Sequence, residues 1–300
     1  ARRRPAPAHP ARRGAPPVGR ASRLPRMAKN TTPDFVLRPF EGLPGETDWV
    51  AMREVVPSAT ATARTTAEHG ARDVLVVTVL PAGWAALHRQ DGAILLAVQT
   101  LAGSGDTSRD LAAALLEAID AEPGTSIETS ALPDAGPRLQ DVLDLSVPFD
   151  VTVHEDFAFW LDPSAEITPD LRASLDQAAE SMVPTVKLDA VESAYWCRMS
   201  REFLRWARPE PEDALIDAIS RLHAKRESGL AGGKFVGAFR SSGLLVPVWE
   251  LPRGTEADEL EGPVAELDAR LTEALAVTQP LDANERRARA GIVSRQVTLR

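Results

Sequence analysis

The fold is decided by a stretch that contains, in chain order, Val183-Pro-Thr-Val-Lys-Leu188, Tyr195-Trp-Cys-Arg-Met199, Phe203-Leu-Arg-Trp206 and the run Asp213–Arg226. The second and third runs are rich in aromatic and branched residues, and only the polar step Ser200-Arg-Glu202 separates them. The fourth run places apolar residues at helical spacing. The stretch therefore predicts strand, turn, strand and helix.

The same β-β-α pattern is found on both sides of this stretch. Upstream, a strand at 74–80 precedes a hairpin of 84–89 and 93–100, turned by Asp91-Gly92, and a helix at 107–121 with a Thr107/Asp110 capping box. Downstream, 234–240 and 244–251 predict a hairpin, and a helix starts from a Thr255 cap. Since a hairpin cannot be a parallel crossover, the class predicted is α+β, with antiparallel sheets and helices on one face.

Proline and glycine residues are frequent in residues 122–148, and this composition predicts a domain boundary. We expect a disordered Arg/Pro-rich segment at 1–34, a first α+β half at 35–130, a second half at 131–281 and a basic tail at 282–300. The second half is expected to open with a hairpin of 149–153 and 157–161, followed by a helix capped by Thr168.

Charge and composition exclude several classes of function. Eight of the 34 basic residues are arginines within 1–26, so residues 27–300 hold 26 basic against 43 acidic side chains, a formal −17. Such a body repels phosphate backbones, so we expect no nucleic-acid binding by the folded part. No apolar run is long enough for a membrane helix. A single cysteine permits no internal disulfide, which indicates a reducing compartment, and we expect the cytoplasm.

The basic tail follows an acidic helix, and charge attraction predicts that it folds back onto the body. Exposed ion pairs stabilise by only about 0–1 kcal/mol each, so burial must anchor the tail. The apolar residues available for this are Ile292, Val293, Val297 and Leu299. A nucleic-acid-binding arm is the alternative interpretation.

Motifs that resemble catalytic or cofactor sites are incomplete. Gly103-Ser-Gly105 resembles an anion nest, but Asp106 places a negative charge there, which favours a capped turn. Gly229-Leu-Ala-Gly-Gly-Lys234 lacks the spacing of a P-loop and precedes a strand. No spacing identifies catalytic, cofactor-binding or metal-binding residues. An enzyme would have to assemble its site from scattered residues such as His154, Asp156 and Cys197.

The candidate residues for an interaction surface are Trp196, Arg198, Arg205 and Trp206. Trp196 and Arg198 share one face of a strand, and the next strand adds an arginine or a tryptophan. Arginine beside tryptophan is typical of interface hot spots. The competing interpretation places one tryptophan in the core and an arginine reaching to water.

Residues 35–300 contain a series of distinctive short motifs in a particular order. They are Phe40-Glu-Gly-Leu-Pro-Gly45, Asp48-Trp-Val50, Ser104-Gly-Asp-Thr-Ser-Arg-Asp110, Gly136-Pro-Arg-Leu-Gln-Asp141, Pro184-Thr-Val-Lys-Leu188, Ala194-Tyr-Trp-Cys197, Glu285-Arg-Arg-Ala-Arg289 and Ser294-Arg-Gln-Val-Thr-Leu299. With these motifs the chain resembles an actinobacterial domain-of-unknown-function family. The resemblance implies relatives that often begin with a SEC-C zinc module and are sometimes labelled SecA-like. No cysteine precedes Met27 here, so we expect no zinc in this chain.

The function predicted is that of a soluble, non-enzymatic binding or adaptor protein with a protein partner and no cofactor. The alternative is a hydrolase or transferase whose site is assembled from scattered residues. A cleft that gathers at least two of His154, Asp156 and Cys197 would favour the alternative. Buried indoles at Trp196 and Trp206 would remove the anchors of the proposed surface.

Overall fold

A computed structural model describes residues 35–100, 103–128 and 136–294, which all fall within one compact unit. The segment 1–34, predicted to be disordered, lies outside these ranges. The described residues form two sheets with helices, and this architecture confirms the α+β class. No helix in these ranges combines the length and hydrophobicity that a membrane crossing needs.

The first sheet has the strand order β5-β3-β4-β2-β1-β6. Its strands are β1 (Ala59–Arg64), β2 (Asp73–Val77), β3 (Ala86–His88), β4 (Ile94–Ala97), β5 (Thr125–Ile127) and β6 (Val151–Val153). All neighbours are antiparallel except β2 and β4, which are parallel. This one pair departs from the predicted antiparallel arrangement, because the β3–β4 hairpin returns the chain beside β2 in the same direction.

Three helices contribute to the core on one face of the first sheet: α1 (Glu46–Glu54), α2 (Thr107–Asp120) and α3 (Leu139–Val142). Trp49 of α1 is fully buried and stacks between Phe40 and Phe149. The predicted capping box of α2 is wrong. The Asp110 carboxylate instead accepts a hydrogen bond from the Ser104 N–H.

The second sheet has the order β10-β11-β9-β8-β7 and is antiparallel throughout. Its strands are β7 (Thr185–Lys187), β8 (Ala194–Arg198), β9 (Glu202–Trp206), β10 (Lys234–Ser241) and β11 (Leu244–Glu250). Helices α5 (Glu212–Ala224) and α6 (Glu261–Leu275) share one core with this sheet, so the predicted central unit is confirmed. Thr255 does not cap α6, because its hydroxyl donates to the Pro252 carbonyl and a short 3-10 turn precedes the helix.

The tail forms helix α7 (Ala283–Val293), which packs on α5. Arg289 pairs with Asp213 at 2.6 Å and with Asp217 at 2.7 Å. Ile292 is 2% exposed, whereas Val293 is 41% exposed and does not anchor the helix. The described part of the tail thus folds back as expected, and 295–300 lie outside the described residues.

The segment between the sheets differs from its prediction. Only 151–153 form a strand, and Ala158–Trp160 is a 3-10 turn instead of the second strand of a hairpin. The Trp160 indole donates to the Val79 carbonyl, so this turn lies over the outer face of the first sheet. Helix α4 (Pro169–Ala179) follows, and its Thr168 cap is confirmed by the bond from the Leu171 N–H.

The two sheets share a core. Tyr195, Ala207, Leu244 and Val246 of the second sheet pack in the same cluster as α1 and the first sheet. The edge strands β6 and β7 also contact each other. Because β6 pairs with β1, the first sheet includes residues of the predicted second half. A boundary near residue 130 remains a prediction about independent folding.

Candidate ligand-binding pocket

Three of the four residues predicted to form an interaction surface lie on the helix-covered face of the second sheet. Trp196 is 4% exposed and Trp206 is 1% exposed, so both indoles are core residues. Their N–H groups donate to the carbonyls of Thr255 and Glu192. The Arg198 guanidinium lies over the Trp196 ring at 4.9 Å. The tryptophans therefore provide no exposed anchor.

Arg205 points to the opposite face, because it alternates with Trp206 along β9 and pairs in register with Tyr195. Its guanidinium lies 3.4 Å from the Met199 sulfur. Within the described ranges it has no carboxylate partner. The four residues consequently do not form one surface, and only the arginines reach solvent.

Two of the three scattered residues of the enzymatic alternative lie near each other, because the charge of Asp156 acts on the pKa of His154 against the larger effect of burial. The imidazole of His154, which follows β6 of the first sheet, lies 2.9 Å from the Thr60 hydroxyl, and burial lowers its pKa. Asp156 pairs with Arg172. Cys197 lies in the second sheet, fully buried, and burial raises the pKa of its thiol. None of the cavities described below is lined by these residues.

A buried carboxylate joins the two sheets at a different place. Asp48, in the first turn of α1, is 7% exposed. Its Oδ1 accepts hydrogen bonds from the Ser193 hydroxyl at 2.5 Å and the Tyr195 hydroxyl at 2.8 Å. Its Oδ2 accepts one from the Lys187 ammonium at 2.8 Å. We call these four residues the Asp48 cluster.

Local backbone geometry places both sides of the Asp48 cluster. Gly45 begins α1 with φ +65°, and a Cβ there would lie 3.0 Å from the Phe149 side chain. Only glycine fits this start without strain, and it orients the first turn of α1 toward the second sheet. Ser193 also has a positive φ, +54°, which turns its hydroxyl to Asp48 at the entry to β8. Its Oγ lies 2.7 Å from the Thr47 hydroxyl oxygen.

The Asp48 cluster is largely buried, and its two charges are paired with each other. Tyr195 and Ser193 are 0% exposed. Burial, and next the Asp48 charge, raises the pKa of Tyr195 well above its ordinary value, so the phenol stays protonated and donates. The side chains of Lys187 and Asp48 are 23% and 10% exposed, and their charges are paired with each other. The cluster thus forms a hydrogen-bonded wall that connects α1 to the second sheet.

A cavity of 590 Å³ opens beside this wall, and we call it the Asp48 pocket. Its lining comes from the start of α1, the turn before β6 and the β7–β8 loop. Asp150, Asp189 and Glu192 are exposed residues of this lining. In the part of the chain that the structure describes, their carboxylates have no ion-pair or hydrogen-bond partner. The pocket therefore carries a negative charge that the protein does not neutralise.

The β7–β8 loop, residues 189–193, is held at both ends. The Glu261 carboxylate accepts the backbone N–H groups of Asp189 and Ala190 at 3.1 and 2.8 Å. At the other end the Trp206 indole donates to the Glu192 carbonyl at 2.8 Å. Because side chains from α6 and β9 fix it, the loop that lines the pocket is preformed.

A second cavity of 410 Å³ adjoins the first. The two cavities share Thr47, Ala190, Val191 and Glu192, so one loop separates them. Arg208 lines the second cavity, and it is paired with Glu210 at 2.5 Å and Asp268 at 2.6 Å. Arg208, Glu210 and Asp268 are therefore paired with one another, whereas the carboxylate of Glu192, which also lines this cavity, has no partner among the described residues.

The glycine loops do not form phosphate sites. The carboxylate of Asp106, between Ser104 and α2, is 1% exposed and pairs with Arg138 at 2.9 Å. Gly233 packs against β11, and a Cβ there would lie 2.4 Å from the Glu250 carbonyl. No group of three or more His, Cys, Asp or Glu side chains within the described ranges is arranged to hold a metal ion.

Sequence reasoning missed the Asp48 cluster. Asp48 resembles an ordinary acidic residue of a first helical turn, and its partners lie 139 to 147 positions away. No spacing signal connects such distant residues, so only the tertiary structure reveals the cluster.

Fold and site together define an α+β protein with a preformed, acidic pocket between two sheets. The chain belongs to the family of unknown function DUF5926, whose model matches residues 39–300. No curated protein and no solved structure matches it.

Proposed function

We propose that this chain is a non-enzymatic binding protein and that its Asp48 pocket receives a cationic group of a protein partner. One observation carries the proposal. Asp150, Asp189 and Glu192 present unpaired carboxylates around a 590 Å³ cavity, while Lys187 is neutralised by Asp48 at 2.8 Å. A guanidinium or ammonium group would provide the missing positive charge.

The net negative charge of the chain also supports a cationic ligand. Residues 27–300 carry a formal −17, so cationic ligands are attracted and anionic ligands are repelled. The volume of the pocket lies within the range of about 300–1,000 Å³ that is typical of ligand sites. Its preformed loop lowers the entropy that binding would otherwise lose.

Binding without catalysis is supported by the protonation and burial of the cluster. Tyr195 remains protonated, Ser193 is buried and Lys187 is held by Asp48. The hydrolase or transferase alternative gains no comparable support, because Cys197 is buried with a raised pKa. A cytoplasmic location, the absence of nucleic-acid binding and a relation to SEC-C-containing proteins remain predictions from the sequence.

Calorimetric titration with N-acetyl-arginine amide tests the proposal. N-acetyl-citrulline amide is the matched ligand, because it replaces the guanidinium with a neutral urea of the same shape. We expect the arginine derivative to bind and the citrulline derivative to bind at least about tenfold more weakly, since the positive charge is the recognised feature. Equal affinity for both ligands, or no binding of either, would refute the proposal.

Variants locate the binding. The triple change Asp150→Asn, Asp189→Asn and Glu192→Gln removes three charges that contribute up to about 1 kcal/mol each, so we expect roughly tenfold weaker binding of the arginine derivative. The control is Asp176→Asn on α4, which removes an exposed carboxylate outside the pocket. An equal loss in the control would show that only the overall charge matters.

A further inference from the structure

A second cavity adjoins the Asp48 pocket at the loop that lines it. The 590 Å³ and 410 Å³ cavities lie on two sides of residues 189–193 and share four lining residues. Each has the size of a ligand site by itself. One basic side chain occupies only one of them, so the shape of the cleft fits an elongated ligand.

The backbone of the loop offers groups for such a ligand. In the part of the chain that the structure describes, the carbonyls of Asp189 and Ala190 accept no hydrogen bond, and the Val191 N–H donates none. An extended peptide presents N–H and C=O groups at a spacing that a short stretch of main chain can pair with. These free main-chain groups indicate a peptide more specifically than the carboxylates do.

We propose that the ligand is an extended peptide segment that follows the 189–193 loop, with a basic side chain in the Asp48 pocket and the adjoining residues in the second cavity. This inference rests on the function proposed above. It adds main-chain recognition and the second cavity to the charge recognition already described.

The second cavity also determines which residues flank the basic one. Arg208 is 8% exposed, it pairs with two carboxylates, those of Glu210 and Asp268, and its guanidinium lies over the Trp206 ring at 4.5 Å. Glu192, which lines both cavities, adds a carboxylate that has no partner among the described residues. The surplus of negative charge in the second cavity therefore disfavours acidic residues beside the basic one and allows uncharged residues there.

The test compares acetyl-Ala-Ala-Arg-Ala-Ala-amide with N-acetyl-arginine amide by calorimetry. Both ligands carry one positive charge, so the difference measures the flanking main chain. We expect the pentapeptide to bind about tenfold more tightly, the effect of two net hydrogen bonds to the loop. Equal affinities would overturn the peptide inference and leave the proposed function intact, whereas no binding of either ligand would overturn both.

A substitution on α6 tests whether the tighter binding of the pentapeptide depends on the second cavity. Thr272 is exposed and lines this cavity, so Thr272→Tyr obstructs it without changing charge. We expect the variant to lose the tenfold gain and to bind N-acetyl-arginine amide unchanged. Ala269→Tyr, on an exposed part of the same helix outside both cavities, is the matched control. A full gain in Thr272→Tyr would overturn the inference.

Discussion

Replacing Asp48 with alanine should destabilise the protein far more than replacing any other acidic residue of the pocket. Asp48 accepts hydrogen bonds from Ser193, Tyr195 and Lys187, and it connects α1 to the second sheet. The substitution leaves the three donors without this acceptor. The effect of the substitution on the free energy of unfolding depends on whether each donor can bond to water or to another acceptor.

The three donors contribute unequally. The Lys187 side chain is 23% exposed, so its ammonium group can turn to water, and loss of its ion pair with Asp48 lowers the stability by at most about 1 kcal/mol. Ser193 keeps its contact with the Thr47 hydroxyl at 2.7 Å. Tyr195 is 0% exposed and loses Asp48, its one side-chain acceptor among the described residues, which costs about 1–3 kcal/mol. With the loss of the charge-assisted bond from Ser193, the total for Asp48→Ala is about 3–4 kcal/mol.

Urea unfolding followed by tryptophan fluorescence measures this change as a shift in midpoint at constant m-value. Asp150→Ala is the matched control. Its carboxylate is exposed and has no partner among the described residues, so we expect a change within about 0.5 kcal/mol. Tyr195→Phe should cost about 1–2 kcal/mol alone and almost nothing when added to Asp48→Ala, because the bond is already lost. A cost below about 1 kcal/mol for Asp48→Ala, or full additivity, would refute the reasoning.

Three further predictions concern single residues. Burial raises the pKa of Tyr195, so the protonated phenol stabilises the fold below the unfolded pKa of about 10. This stabilisation is lost as the pH rises through the higher pKa of the folded state. Absorbance at 295 nm should therefore show tyrosinate only when the protein unfolds, and ionisation before unfolding would contradict the prediction. Cys197, the single cysteine, should react with a thiol reagent only after unfolding, and fast labelling of the native protein would contradict its burial. Ile292→Ala should cost about 2–4 kcal/mol in urea unfolding and Arg289→Ala at most about 1, and the reverse order would show that charge anchors α7.

The sequence predicted those elements whose pattern reflects local burial. The runs around Tyr195 and Phe203 have aromatic and branched residues on both sides of a short polar turn, and the structure forms the hairpin of β8 and β9 there. The strand β1 was less evident, because Ala59–Arg64 is a small-residue run. It is buried between β2 and β6, where tertiary packing determines its conformation.

The site was less predictable than the fold. Alternation along a strand shows which residues share a face, but it does not show which face the helices cover. Trp196 and Trp206 could therefore be grouped from the sequence, whereas their burial under α5 and α6 required the structure. The Asp48 pocket joins segments more than a hundred residues apart, and a single sequence contains no signal for such contacts.

The most direct test of the pocket is a titration of the ¹⁵N-labelled protein with N-acetyl-arginine amide, followed by amide chemical shifts. We predict saturable shifts at Gly45, Ala190 and Glu192, which line the Asp48 pocket, and unchanged shifts at the exposed acidic residues of α4 such as Asp176. Shifts that are spread equally over the acidic surface, or none at Gly45 and Ala190, would contradict the assignment of this pocket as the ligand site.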